Sequence, residues 1–182
     1  MTPPALPLAA PQVVASVSVA VPTIADIPEL IALVNLLATE PNFLFIMPID
    51  PRTGVAVVTA HLASIAATKN ECVFVARYGS ELIGVVTGIR GTHPARRGAV
   101  DIGIGVRPDH RGRGVGLRLM NALERWARST GCHRLQLRVV STNEPAVALY
   151  RKLGFAVEGI LRAGAIVDGT RYDDLEMAKI LD

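Results

Sequence analysis

A strand, a glycine-rich turn and a helix in immediate succession, between residues 99 and 130, constrain this chain more than any other feature. "AVDIGIGV" (99–106) alternates apolar residues with Asp101, Gly103 and Gly105, the period of a half-buried strand. "RPDHRGRGVG" (107–116) then brings arginines and glycines together. The helix that follows runs to about Thr130, with Leu119, Met120, Leu123, Trp126 and Ala127 at core spacing and Gly131 as its stop. "HRLQLRVV" (133–140) alternates again, with Leu135, Leu137 and Val139 on one face. Strand, helix and strand over so short a span form a crossover, so the two strands are expected to be parallel neighbours in one sheet.

The remaining elements fill out a mixed sheet. "VVASVSVAV" (13–21) puts Ala15, Val17, Val19 and Val21 on one face of a strand. "DIPELIALVNLLATE" (26–40) reads as an amphipathic helix, with Asp26 as cap, Glu29 completing a capping box and Pro28 in the first turn. "PNFLFIMPIDPRTG" (41–54) is broken by three prolines and is expected to be a loop. A second helix is expected over 55–68, with Val58, Leu62 and Ile65 turned inward. "CVFVARY" and "ELIGVVTGI" flank Gly79-Ser80 as a hairpin, and "RGTHPARRG" (90–98) is a basic loop. "NEPAVALYRKLGF" (143–155) is a helix with Asn143 as cap, and the last two strands meet at Asp168-Gly169. The expectation is an α+β domain over 13–182, a mostly antiparallel sheet of six or seven strands flanked by helices, after a disordered leader at 1–12.

Composition narrows the function. The chain has 182 residues, half of them hydrophobic, enough to bury a core without staples. Its formal charge of +3 is uneven: residues 1–91 hold 4 basic and 6 acidic side chains, whereas 92–182 hold 15 and 10, the basic ones mostly arginine. Arginine suits planar or phosphate-bearing partners. Aromatic residues make up only 4% of the chain, too few for a base-stacking platform, which argues against a nucleic-acid binder. Cys72 and Cys132 each stand alone, with no C-x-x-C spacing and no cluster with histidine. They read as buried, reduced thiols rather than metal ligands or a disulfide, so no metal is expected. No apolar stretch reaches the roughly 18 residues of a membrane span, and a cytoplasmic protein is expected.

The glycine turn carries the chemistry. Helix starts present unpaired N–H groups and a partial positive charge, and glycines let an anion approach them. Arg111, Gly112, Arg113, Gly114, Val115 and Gly116 occupy that position, where a pyrophosphate is the natural guest. There is no G-K-[ST], so this is not a nucleotide-triphosphate loop. Leu117 stands where a dinucleotide fingerprint starting at Gly112 would need its third glycine.

Taken together with the downstream helix, the chain resembles the GNAT superfamily of N-acetyltransferases. Arg111, Gly114 and Gly116 match its [QR]-x-x-G-x-[GA] fingerprint. Asn143, Ala146, Leu149, Tyr150, Gly154 and Phe155 fit its second signature, and the resemblance runs from about residue 15 to 181. It implies acetyl-coenzyme A as cofactor, with the backbone of Ile104, Gly105 and Val106 pairing with the pantetheine arm. Amides from Arg111 to Gly116 would then cradle the diphosphate, between two parallel strands that splay apart. Asn143 belongs to the same cofactor side.

Acyl transfer to an amine needs a neutral amine and an acid for the departing sulfur. Tyr150 stands where the resemblance locates the family's thiol-side tyrosine and is the candidate acid. Asp101 shares a strand face with Gly103 and Gly105, and is the candidate base or amine-binding carboxylate, acting directly or through water. His93 is the alternative base; His61, His110 and His133 read as surface residues. The acceptor pocket is expected between the first two helices and the last hairpin, from Glu40, Phe43, Phe45, Tyr172 and Asp174. A small-molecule amine of the amino-acid or polyamine type is the favoured acceptor and a protein N-terminus the alternative. A module that binds acyl-CoA without catalysis is the rival of another class, and the sequence leaves a homodimer open.

Overall fold

The computed structural model describes residues 16–40, 48–167 and 169–182. Seven strands form one sheet: β1 (Val17–Ala20), β2 (Glu71–Tyr78), β3 (Glu81–Arg90), β4 (Ala99–Val106), β5 (Arg134–Val140), β6 (Ala156–Val167) and β7 (Thr170–Ile180). Their order is β1-β2-β3-β4-β5-β7-β6, and among the described pairs only β4 and β5 run parallel. The crossover between those two is α3 (Val115–Ser129), as the alternation of 99–106 and 133–140 requires.

Helices cover both faces. α1 (Ile27–Ala38) and α2 (Pro51–Thr68) lie on one, where Leu30, Leu33 and Leu37 pack over Val73, Val75 and Val85. α3 and α4 (Glu144–Lys152) lie on the other, where Leu119, Leu123, Val86, Val100 and Leu135 are fully buried. Each of these aliphatic side chains contributes about 1.5–3 kcal/mol by leaving water. Cys72 and Cys132 are free and buried in this second layer, as expected of inert thiols.

Several boundaries depart from the pattern-based expectation, each for a local reason. The capping box lies one short turn upstream of the expected one: Asp26 Oδ2 accepts from the Thr23 amide (2.7 Å) and hydroxyl (2.9 Å), and residues 24–26 form a 3-10 turn before α1. Glu29 leaves the helix start and accepts the Leu82 amide at 2.6 Å, tying α1 to the β2–β3 hairpin. α2 begins at Pro51 rather than residue 55, because Asp50 caps it by accepting the Arg52 amide (2.9 Å) and a proline at the first helical position forfeits no bond. Its face of Val58, Leu62 and Ile65 does turn toward the core. Val21, expected on the inner face of β1, is 61% exposed because the strand ends at Ala20. The strand start at 13–15 lies outside the described residues, as do the leader and Asp168.

Candidate active site

The parallel ladder between β4 and β5 is three rungs long: Ala99 with Arg134, Val100 with Leu135 and Asp101 with Gln136. Beyond Asp101 the strands part, while β4 keeps its pairing with β3 through Val106 and β5 keeps its pairing with β7 through Val140. The splayed edge of β4 from Ile102 to Val106 therefore offers main-chain groups to a guest. Gly103 deepens the floor, since a methyl there would come within 2.9 Å of Thr87 Oγ1. The gap opens into a cleft of about 1250 Å³ whose walls include Asp101, Gly103, Ile104, Gly105, Val106, Arg111, Gly112, Gly114, Val115, Gly116, Asn143 and Tyr150.

At one end of this cleft α3 starts without a side-chain cap. Its N-cap is Gly114, at φ +78°, preceded by Gly112 at φ +71°. Left-handed backbone at both positions turns successive N–H groups the same way, and only glycine adopts it without strain. A Cβ added at Gly112 or Gly114 would meet nothing within 4 Å, so the space before these amides is open. Gly116 serves packing instead: a Cβ there would lie 2.9 Å from Leu149, where α3 meets α4. Such a turn suits an anion through its amides rather than through arginine side chains. Arg111 borders the cleft, but its Nε donates to the Val106 carbonyl (2.9 Å) and its Nη1 pairs with Glu40 (3.2 Å). Arg113 is exposed and is not among the residues that line the cleft.

Across the slot stands α4. Asn143 caps it by accepting the Ala146 amide at 3.3 Å, and Tyr150, about two turns on, lines the cleft while remaining only 7% exposed. Its ring tilts against Phe155 at 5.9 Å between centroids. Burial pushes the phenol up to about 12, so it stays protonated at any working pH and can act as a donor.

Asp101 is exposed on the opposite side of the sheet from α3 and α4, at the fork itself. Gln136 Nε2 donates to its Oδ1 at 2.8 Å. Arg134, Arg138, Glu158 and Glu176 line the same region, with Arg138 Nε donating to Glu176 Oε1 at 3.1 Å. Arg96, from the basic loop, also lines the cleft, and among the described residues it makes no ion pair. None of Gln136, Arg138 or Arg96 was picked out in the sequence. For the first two the signal was present: residues 134, 136 and 138 are the polar positions of an alternating strand parallel to the one bearing Asp101.

The proposed acceptor residues are not gathered in one place. Glu40 is engaged with Arg111 at the turn. Tyr172 sits on β7 opposite Ala165 of β6 and is not part of the cleft wall. Asp174 is 1% exposed and likewise outside the wall; burial raises its carboxyl above the usual range, with Arg138 opposing, and its Oδ1 has no hydrogen-bond partner among the described residues. It lies at an irregular stretch where β6 advances from Leu161 to Ala165 while β7 moves only from Asp174 to Tyr172. Phe43 and Phe45 lie outside the described residues. His93 caps a short turn by accepting the Ala95 amide at 3.2 Å and is not among the residues that line the cleft. His61 and His133 are exposed as expected, but His110 is not: it packs on Tyr78 and borders the cleft.

A family model described as the acetyltransferase (GNAT) family matches residues 35–155, which include the fork, the turn and both signatures. The chain belongs to this family. Among curated GNAT relatives, an L-methionine sulfoximine/L-methionine sulfone acetyltransferase of Pseudomonas aeruginosa is 40% identical over 63 residues, 35% of this chain and 37% of that protein. The match therefore spans little more than a third of that relative's length. Among solved structures, a GNAT-family acetyltransferase of Streptococcus pneumoniae superposes with a TM-score of 0.82 at 25% identity, covering 91% of this chain and all of that one. A phosphinothricin acetyltransferase of Sinorhizobium meliloti, solved with acetyl-CoA, gives 0.79 at 20% identity, covering 91% of this chain and 88% of that one. The GNAT fold thus accounts for the mixed sheet, the parallel pair and the fork. No described helix is long and apolar enough to cross a membrane, and no described cluster of His, Cys, Asp or Glu could hold a metal ion.

Proposed function

We propose that this chain is an acetyl-CoA-dependent N-acetyltransferase whose acceptor is the primary amine of a small amino-acid-type molecule. The observation that carries the reading is the single cleft in which the uncapped start of α3, the open edge of β4, Tyr150 and Asp101 all meet. Acetyl-CoA supplies an activated acetyl thioester. The amides at Gly112, Gly114, Val115 and Gly116 bind its diphosphate, and the main chain of Ile104 to Val106 aligns the arm along β4. Tyr150, held protonated by burial, gives its proton to the sulfur as the carbon–sulfur bond breaks. The acceptor's ammonium, drawn in by Asp101, first loses one proton to solvent. Asp101 then holds the neutral amine and takes up, directly or through water, the second proton that nitrogen loses as the carbon–nitrogen bond forms, and passes it on to solvent. The products are an N-acetyl amide and the free thiol, and Tyr150 recovers its proton from solvent.

The amino-acid preference rests on charge along the cleft. Asp101 suits an ammonium, and Arg96 suits a carboxylate on the same small molecule. The names of the Pseudomonas relative and the Sinorhizobium neighbour point the same way. The test is thiol release from acetyl-CoA with L-methionine sulfone, phosphinothricin, spermidine and an alanine-terminated peptide, with products identified by mass spectrometry. Turnover of the amino-acid analogues at least tenfold above the others supports the reading. Preference for the peptide replaces the acceptor class, and tight acetyl-CoA binding with no amine-dependent release makes the chain a binding module.

A further inference from the structure

Asp101 is the last residue of β4 still paired with β5, and a run of side chains holds it there from behind. Gln136, its partner on the rung, donates from Nε2 to Asp101 Oδ1 at 2.8 Å. Gln136 Oε1 in turn accepts from Arg134 Nε at 2.8 Å. Arg134 closes a two-pronged pair with Glu158, Nη1 to Oε1 at 2.9 Å and Nη2 to Oε2. Glu158 belongs to β6, so the run starts on β4 and crosses the sheet over β7. There the residue facing Gln136 is Ala178, opposite Ala156, and two methyl groups leave room for long side chains above them. The Arg134–Glu158 pair is electrostatically tight: Arg134 depresses the Glu158 carboxyl and Glu158 raises the guanidinium.

The order of these contacts fixes their polarity. A guanidinium has donors only, so Arg134 Nε–H must face the amide oxygen of Gln136. The amide cannot flip without setting donor against donor, and its NH₂ is committed to Asp101. We propose that Gln136 is a positioning residue for Asp101, locked in one orientation by Arg134 and Glu158, so that the carboxylate is held at the fork with its remaining lone pairs free for the acceptor amine. The assignment rests on Asp101 meeting the amine in the proposed reaction. It adds a residue that acts through Asp101 and lies outside the glycine-turn and Asn143–Tyr150 signatures.

A double-mutant cycle tests it, using whichever panel amine turns over fastest, L-methionine sulfone being expected. Gln136→Met keeps the length and bulk of the side chain and loses both amide contacts. It should lower kcat about tenfold while leaving the acetyl-CoA Kd, by calorimetry, within twofold of wild type. In an Asp101→Asn background the same change should cost less than twofold, because there is no carboxylate left to position. Arg134→Met, which frees the amide without removing it, should fall between wild type and Gln136→Met. Independently of activity, the side-chain amide signal of Gln136 in ¹⁵N–¹H spectra, assigned by its loss in Gln136→Met, should shift in Asp101→Asn and in Arg134→Met. Wild-type kcat in Gln136→Met, or an equal loss in both backgrounds, overturns the proposal even if Asp101→Asn is slow. Wild-type turnover in Asp101→Asn instead removes Asp101 from the chemistry, and the reading of the site fails with it.

Discussion

Tyr150 shows how one residue can be both core and chemistry. Its ring packs among Leu149, Leu153 and Phe155 in the layer beneath α3 and α4, while its edge lines the cleft. Burial holds the hydroxyl protonated, so it can donate a hydrogen bond to a leaving thiolate. At about 12 it is a weaker acid than a free thiol near 8.5, so it stabilises the developing charge and its proton crosses only as solvent re-protonates the phenol. Tyr150→Phe keeps the packing and deletes the proton. It should lower kcat by one to three orders of magnitude with acetyl-CoA affinity within about twofold of wild type, measured by steady-state kinetics under conditions where chemistry limits the rate. Unchanged turnover would leave Tyr150 as a packing residue only. Asp101 is the opposite case, an exposed carboxylate whose surroundings hold it in place by hydrogen bonding rather than by burial.

At the scale of elements, the start of α3 is the proposed binding element, and its glycines were legible because they break a rule. Three glycines in five residues make a poor helix start unless something must approach the backbone, and the structure places Gly112 and Gly114 at positive φ before open space. Gly114→Ala should therefore raise the acetyl-CoA Kd at least tenfold by calorimetry. The left-handed conformation costs an alanine about 1 kcal/mol, so the same substitution should lower the Tm by a few degrees. A Kd unchanged beside a lowered Tm would make the turn structural. The parallel pair was legible because a strand–helix–strand crossover requires it, whereas the splay beyond it was implied only by the family resemblance, which Gly103 and Gly105 fit. What escaped reading depended on tertiary partners. Asp50 and Pro51 start α2 inside a stretch whose prolines pointed to a loop, and Glu29 left its own helix for the Leu82 amide. Gln136 and Arg138 looked like the solvated side of a strand because alternation gives the face but not what lies across it. Asp174 read as an acceptor-pocket carboxylate, and the irregular β6 pairing that accompanies its burial has no sequence signal beyond Gly164.

For the molecule as a whole, the sheet is a partition with a slot in it. Tyr150 and the layer of α3 and α4 lie on one face, Asp101 and its Gln136 partner on the other, and the fork joins them. Such a design places neutral, protonatable groups in the layer of α3 and α4, and that has a consequence for stability. Burial pushes both Tyr150 and Cys72 up to about 12, from ordinary values near 10 and 9. Each is uncharged when protonated, and the folded state holds the proton more tightly than the unfolded chain does. Their contribution is thus fully present below pH 9 and is lost as pH rises from 9 toward 12. Urea unfolding should give a nearly flat stability from pH 7 to 9, then a fall of roughly 2–3 kcal/mol by pH 10.5, most of it from Cys72, whose ordinary value is the lower. Cys72→Ala should start lower at pH 7 because it opens a small cavity. Between pH 9 and 10.5 it should nevertheless lose well under half as much stability as wild type does. An equal fall in the variant would place the alkaline sensitivity elsewhere, in the surface pairs that Arg and Lys make, and would mean that the thiol is not sealed in the core layer.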